Sequence, residues 1–237
     1  MTILQVVQKA ALRVIGNKPD SAFAPNRDQK TVEELVDLAN DVAVSMAESQ
    51  DWQALTKIAT ITGDGTETQF DLPSDYDRMA VASSLVDPAN WFWGYGQIST
   101  VNEWLRLKSL GYQWITPGAW IIIGNQFNFL PAPGASQQAE YPYITKNVVL
   151  DTGGTPKETF TTDTDTFRLD ERTLTLGTIW RWKEQKGLEY AEDMQTYEIA
   201  LSQRQAKDTG GRVIRNGPRL PNGLFSRAYP FALGPGT

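Results

Sequence analysis

The chain has 237 residues, sets 22 lysines and arginines against 28 aspartates and glutamates, and contains neither cysteine nor histidine. Lack of cysteine excludes disulfides, thiolate nucleophiles, zinc-thiolate clusters and iron-sulfur centres; lack of histidine excludes a Ser-His-Asp triad and histidine metal sites. Carboxylate chemistry stays open in principle, as glycosidic cleavage or oxygen-ligand metal binding.

The length suits one large domain or two small ones, and no run of about 18 apolar residues predicts a membrane span. All acidic residues precede Gly210, whereas Arg212, Arg215, Arg219 and Arg227 follow it, so the body is net −10 and the tail +4. A body this acidic is a poor ligand for DNA phosphate, which is gripped by lysine and arginine. Around a passing duplex it would instead prevent sticking.

In chain order, MTILQVVQKAALRVI carries Gln5, Gln8, Lys9 and Arg13 among apolar residues and reads as an amphipathic helix, not a signal peptide. Val32, Leu35, Val36, Ala39, Val42, Ala43 and Met46 predict a helix from about Val32 to Ser49, with Thr31 and Glu34 as a capping box. Lys57 to Thr62 and Thr66 to Leu72 then flank Gly63-Asp64-Gly65, a hairpin signal, and Pro73 ends the second strand. A short helix is expected over Val101 to Leu110, with Thr100 and Glu103 as a second capping box and Gly111 beyond it.

Ala119 to Ile123 and Gln126 to Leu130 flank Gly124-Asn125, a second hairpin, and Pro131 to Gly134 form the next turn. Tyr141 to Leu150 reads as a strand running to a turn at Asp151 to Gly154, and Thr159 to Leu169 as its return. Asp170 to Lys186 predicts a helix ending at Gly187, against the threonines at 173, 175 and 178, which weaken helices. Tyr190, Met194, Tyr197 and Leu201 mark a last helix that stops at Gly210-Gly211. The expected class is α+β: a helical bundle from both chain ends (1–56 and 170–209), an inserted antiparallel β-rich region with a short helix (57–169) and an extended C-terminal arm (210–237).

The segment DWQALTKIATITGDGTETQFDLPSDYDRMAV, Asp51 to Val81, resembles the head-to-tail adaptor proteins of short-tailed bacteriophages: an Asp-Trp helix end, a GDGT turn, then LPSDYDRM. WIIIGNQFNFLPAPG (Trp120 to Gly134), EYPYITKN (Glu140 to Asn147) and WRWKEQKGLEYAEDMQTYE (Trp180 to Glu198) are similar to the same proteins in the same order. The resemblance spans Asp51 to Gly211 and implies a helical bundle with an inserted β-domain, assembled as a twelve-subunit ring. It implies a portal protein and a nozzle or tail-tube protein as partners and a place at the head-tail junction of the virion; on composition and charge, no cofactor, no catalysis and no specific DNA binding are expected.

The tail is too rich in glycine and proline to fold alone, yet it carries Leu220, Leu224, Phe225, Tyr229 and Phe231 beside its four arginines. An arm that seats these side chains in a portal or neighbouring subunit accounts for them better than a loose terminus does. Aromatic residues also cluster at Trp91, Phe92, Trp93, Tyr95, Trp104, Tyr112, Trp114 and Trp120. Core packing, a subunit or tail interface at Trp91, Trp93, Tyr95, Trp104 and Trp114, and a sugar-stacking platform are the readings in that order.

Asp71, Asp75 and Asp77, and Asp163 with Asp165, are the carboxylate groups an enzymatic reading would use. No nucleophile-base pair or metal spacing accompanies them, and the favoured reading is structural: turn aspartates at 75 and 77, one solvated strand face at 163 and 165. In WRWKEQKG, Arg181, Lys183 and Lys186 beside Trp180 and Trp182 would suit single-stranded nucleic acid. Glu184 and Glu189 dilute the run, and a solvated helix face with tryptophans in the core fits better. The sequence thus predicts a structural adaptor, with a carbohydrate-binding tail module as the alternative.

Overall fold

The structure, a computed structural model, describes residues 1–24, 29–81, 83–88, 95–110 and 118–208. Its helices are α1 (Ile3–Val14), α2 (Gln29–Glu48), α3 (Val101–Leu110), α4 (Glu171–Gln185) and α5 (Ala191–Asp208). Its strands are β1 (Thr56–Thr62), β2 (Gln69–Asp71), β3 (Tyr76–Met79), β4 (Gly96–Gln97), β5 (Ala119–Ile123), β6 (Gln126–Leu130), β7 (Gln138–Thr145), β8 (Val149–Leu150), β9 (Pro156–Lys157) and β10 (Thr166–Phe167). The protein is α+β, with helices from both ends of the chain meeting around one core. The arm, 210–237, lies outside the described residues.

α4 is the axis of the bundle, packing against α1, α2 and α5. Because it is covered on several sides it shows no single apolar stripe, and the run from Thr173 to Ile179 is buried throughout. Its threonines are tolerated because their hydroxyls find acceptors inside the helix: Thr175 donates to the Glu171 carbonyl at 2.8 Å and Thr178 to that of Leu174 at 2.9 Å. Asp170 caps the first turn, accepting from the Thr173 amide at 2.8 Å and its hydroxyl at 2.7 Å. Gly177 permits close approach, since a Cβ there would lie 2.4 Å from Val42 Cγ1 and 3.0 Å from Tyr197 Cε2. Gly187, at φ +67°, ends the helix region as expected.

α2 begins at Gln29, so Thr31 lies inside the helix and does not cap it. The proposed partner Glu34 turns instead to Lys186, 2.7 Å away beyond the end of α4. The inner face of α2 buries Val32, Leu35, Val36, Ala39, Val42, Ala43 and Met46, the residues whose spacing predicted it.

The Gly63-Asp64-Gly65 turn forms, but the strands beside it do not pair with each other. Asp64 accepts from the amides of Thr66 and Glu67 at 2.8 and 2.7 Å, reversing the chain. The turn is seated on another loop: the Gly63 amide donates to the Gln137 carbonyl at 2.8 Å and the Gly65 amide to that of Pro133 at 2.9 Å. β1 therefore pairs with β7, Thr56 opposite Ile144 through Thr62 opposite Gln138, while β2 pairs with β6 in a different sheet. The Gly124-Asn125 hairpin does form between β5 and β6, with both turn residues at positive φ, 59° and 65°.

Three sheets result, in the orders β1-β7-β3, β2-β6-β5-β4 and β10-β8-β9, antiparallel except for the two-residue β4–β5 pairing. Tyr141 to Leu150 is not one strand, because after Thr145 the Lys146 amide donates to the Asp75 carbonyl and the Asn147 amide to the Thr145 hydroxyl, and the chain resumes as β8 in another sheet. Of the predicted return strand only Thr166–Phe167 pairs, antiparallel to β8. The first two sheets enclose an aromatic core of Trp120, Phe127, Phe129, Tyr141 and Tyr143. Val149, Phe160, Phe167 and Leu169, from the third sheet and its loops, share the helical core instead.

Candidate interaction surfaces

The LPSDYDRM motif builds the seam between bundle and β-region. Arg78, on β3, donates to the carbonyls of Ala47 and Gln50 at 3.2 and 3.1 Å, capping the C-terminal end of α2, and pairs with Asp51. Asp51 also accepts from the Val81 amide at 2.5 Å. Beside it Trp52, fully buried, donates its indole N–H to the Met46 carbonyl at 2.6 Å. One turn of sequence thus anchors a helix end to a strand.

Each carboxylate that an enzymatic reading would use is engaged in holding the fold. Asp75 accepts from Lys57 Nζ at 2.6 Å, Tyr143 Oη at 2.9 Å and Thr145 Oγ1 at 2.8 Å. Burial alone would raise its pKa, but those three donors prevail and hold it at about 2. Tyr143, buried and facing that carboxylate, is pushed up to about 12. The partners of Asp75 are side chains, not the backbone donors expected of a turn aspartate. Asp71 accepts from Gln126 at 2.6 Å and Asp77 pairs with Arg78 at 2.6 Å.

Asp163 and Asp165 do not share a solvated strand face. They lie in a turn, where Asp165 is fully buried and accepts from Lys157 Nζ at 2.8 Å, the Thr161 amide at 2.7 Å and the Thr162 hydroxyl at 2.6 Å. Burial opposes its ionisation and these donors overcome it, setting its pKa at about 2. Asp163 accepts from the Ser21 hydroxyl at 2.5 Å and the Ala22 amide at 2.7 Å, tying the segment after α1 to this turn. An ionised carboxylate saturated with donors is a poor general acid or base. Among the described residues no group of three or more acidic side chains could hold a metal ion.

The basic residues of WRWKEQKG are likewise occupied. Arg181 stacks over Trp180 with its guanidinium carbon 4.5 Å from the ring centroid, Lys183 pairs with Asp193, and Lys186 pairs with Glu34. Trp182 is buried and Trp180 partly so, as expected for a helix face that anchors indoles in the core.

Of the predicted interface aromatics, Trp91, Trp93 and Trp114 lie outside the described residues, as do all arm residues from Arg212 to Phe231. Tyr95 is half-buried, its hydroxyl donating to the Ala132 carbonyl at 3.3 Å and its ring meeting Phe129 edge-on. Trp104 is 6% exposed and fills a small core under α3 with Ala119 and Ile121. It is the peg of α3, which presents Val101 and Leu105 to solvent on one side and Leu110 at its end. Those aliphatic residues were not singled out by sequence, although their mixture with Arg106 and Lys108 on one short helix carried the signal.

Two further exposed features come from the bundle. α2 presents Glu33, Asp37, Asp41 and Glu48 outward, with Val44 among them. A groove between α1, α4 and α5 is lined by Lys9, Leu12, Arg13, Arg172, Leu176 and Thr196. No helix among the described residues is long and apolar enough to cross a membrane.

Compared with known families, the chain matches the SU10 adaptor protein model over residues 1–219. The chain belongs to the SU10 adaptor protein family. The match takes in every helix and strand described above and runs on through Arg212, Arg215 and Arg219. It agrees with the resemblance to phage head-to-tail adaptors, so the protein is a structural adaptor of a bacteriophage. No curated protein matches the adaptor.

Proposed function

We propose that the adaptor closes into a twelve-subunit ring that joins the portal to a nozzle or tail-tube protein and leaves a channel for DNA. It would be made in the host cytoplasm and reside at the head-tail junction of the virion. The observation that carries this reading is the family match across the whole folded body. The carboxylates an enzyme would use are locked into the fold, which favours a protein that acts by geometry and adhesion. Trp104 and Trp120, 6% and 1% exposed, are spent on internal packing, which weakens the alternative of a sugar platform. The net charge of −10 before Gly210 suits a wall past which DNA slides without sticking.

In this reading the arm attaches the ring to the portal or a neighbouring subunit, with Leu220, Leu224, Phe225, Tyr229 and Phe231 seated in pockets and Arg212, Arg215, Arg219 and Arg227 meeting carboxylates. Trp91, Trp93, Tyr95 and Trp114 belong to the region we assign to subunit or tail contacts, and Trp104 supports that region from inside by anchoring α3. Mass photometry of the protein alone and with portal rings of the same phage tests the proposal. A portal complex carrying about twelve added copies is expected for heterologous ring closure. A chain that ignores the matched portal would overturn it.

A further inference from the structure

Resting on the ring reading, we infer that neighbouring protomers join by seating the outer face of α2 from one copy in the α1–α4–α5 groove of the next. The groove has a volume of about 580 Å³. Its rim carries Lys9, Arg13 and Arg172, all exposed, and none of the three makes an ion pair among the described residues. Its floor is apolar: Leu12 is 58% exposed in the free protomer and lies beside Leu176. An exposed leucine ringed by unpaired cations fits a partner that is acidic around an apolar centre.

The outer face of α2 has that composition. At 100° per residue, Glu33, Asp37, Asp41, Val44 and Glu48 fall within an arc of about 80° that points away from the buried stripe. None of the four acids makes an ion pair among the described residues, and Val44, 44% exposed, lies within the arc with Asp41 and Glu48 about one turn to either side. Lys30 shares the face at its N-terminal end and leaves it strongly negative.

The placement of the two surfaces decides what contact they make. α2 covers one flank of α4, and the groove opens where α1 and α5 flank it elsewhere, so the surfaces are distinct patches. An isologous dimer through either patch would set like charges face to face, which costs several kcal/mol. A heterologous contact sets unlike charges together, leaves one acid face and one basic groove free at the ends, and repeats until it closes. The second copy is therefore the occupant that the chain's own charge distribution selects.

A charge-swap experiment on the full chain tests this. Asp37→Lys with Asp41→Lys reverses the helix face, and Lys9→Glu with Arg13→Glu reverses the groove; all four residues are exposed, so each variant should melt with the wild type. Each alone should lower the ring-sized complexes on portal rings by at least about tenfold, because every contact then opposes like charges. An equimolar mixture should restore them, since each reversed face then meets the other variant's complementary surface. Wild-type yields from both variants alone, or no recovery in the mixture, would overturn the pairing while leaving the ring itself intact. Failure of the wild type to assemble would instead strike the ring reading.

Discussion

Asp51 and Arg78 stand 27 positions apart in sequence and meet at 3.2 Å, closing the seam between the end of α2 and β3. Arg78 also satisfies the carbonyls of Ala47, in the last turn of α2, and of Gln50 just beyond it, so its removal orphans a helix end as well as an anion. Charged hydrogen bonds of this kind are each worth roughly 1.5–3 kcal/mol. Arg78→Ala should lower stability by about 2–3 kcal/mol in urea titration. Asp51→Asn should cost less, because an amide oxygen can still accept from the Val81 amide.

Gly177 should not tolerate a methyl group. Alanine gains about 1 kcal/mol of helix propensity over glycine, yet the new Cβ would stand 2.4 Å from Val42 Cγ1 in a buried contact. Gly177→Ala is expected to lower the melting temperature, and Val42→Ala in the same chain to recover part of the loss. A variant that melts above the wild type would show that α2 gives way freely.

Acid should weaken the fold through Asp75 and Asp165. Both have folded-state pKa values of about 2, below the unfolded value of about 3.9. The folded state therefore binds fewer protons, and the stability each group contributes is present above about pH 4 and lost as pH falls toward 2. The shift corresponds to ~2 kcal/mol per group. Stability measured from pH 5 to 2 should fall steeply, and less steeply in Asp165→Asn, which should already be destabilised at pH 7.

Leu105→Asp on the outer side of α3 should leave the melting temperature unchanged, since Leu105 is 56% exposed and the helix is anchored through Trp104. If that face meets a tail or portal partner, attachment in a pull-down should drop severalfold. Unchanged attachment would confine the insertion's contacts to residues other than α3.

Deleting Leu220 to Thr237 should abolish attachment to portal rings while leaving the folded body's melting temperature as in the full chain. Retained attachment would remove the arm from the assembly contact.

Periodicity placed α1, α2 and α5 because each buries one face, and a one-sided helix writes its burial into the spacing of its apolar residues. α4 was legible mainly through its ends, Asp170 and Gly187, since a helix buried on several sides has no stripe to read. The Gly63-Asp64-Gly65 signal gave the turn but misassigned its strands, because a local preference for reversal cannot report that Gln137 and Pro133 compete for the turn's amides. The carboxylates at 163 and 165 misled for a similar reason: alternation with threonine looks like a strand face until Lys157 and Ser21 supply distant partners. Nothing local announced the groove, which exists only once α1 and α5 flank the same helix.

The position of α4 within the chain also fixes when the protein can finish folding during synthesis. α1 and α2 leave the ribosome first with apolar faces whose main partner begins at Glu171, more than 120 residues after α2 ends. The aromatic sheet core needs nothing after Tyr143, so it is free to consolidate while the leading helices still wait, exposed. Premature release before α4 emerges would leave those helices uncovered and prone to aggregate.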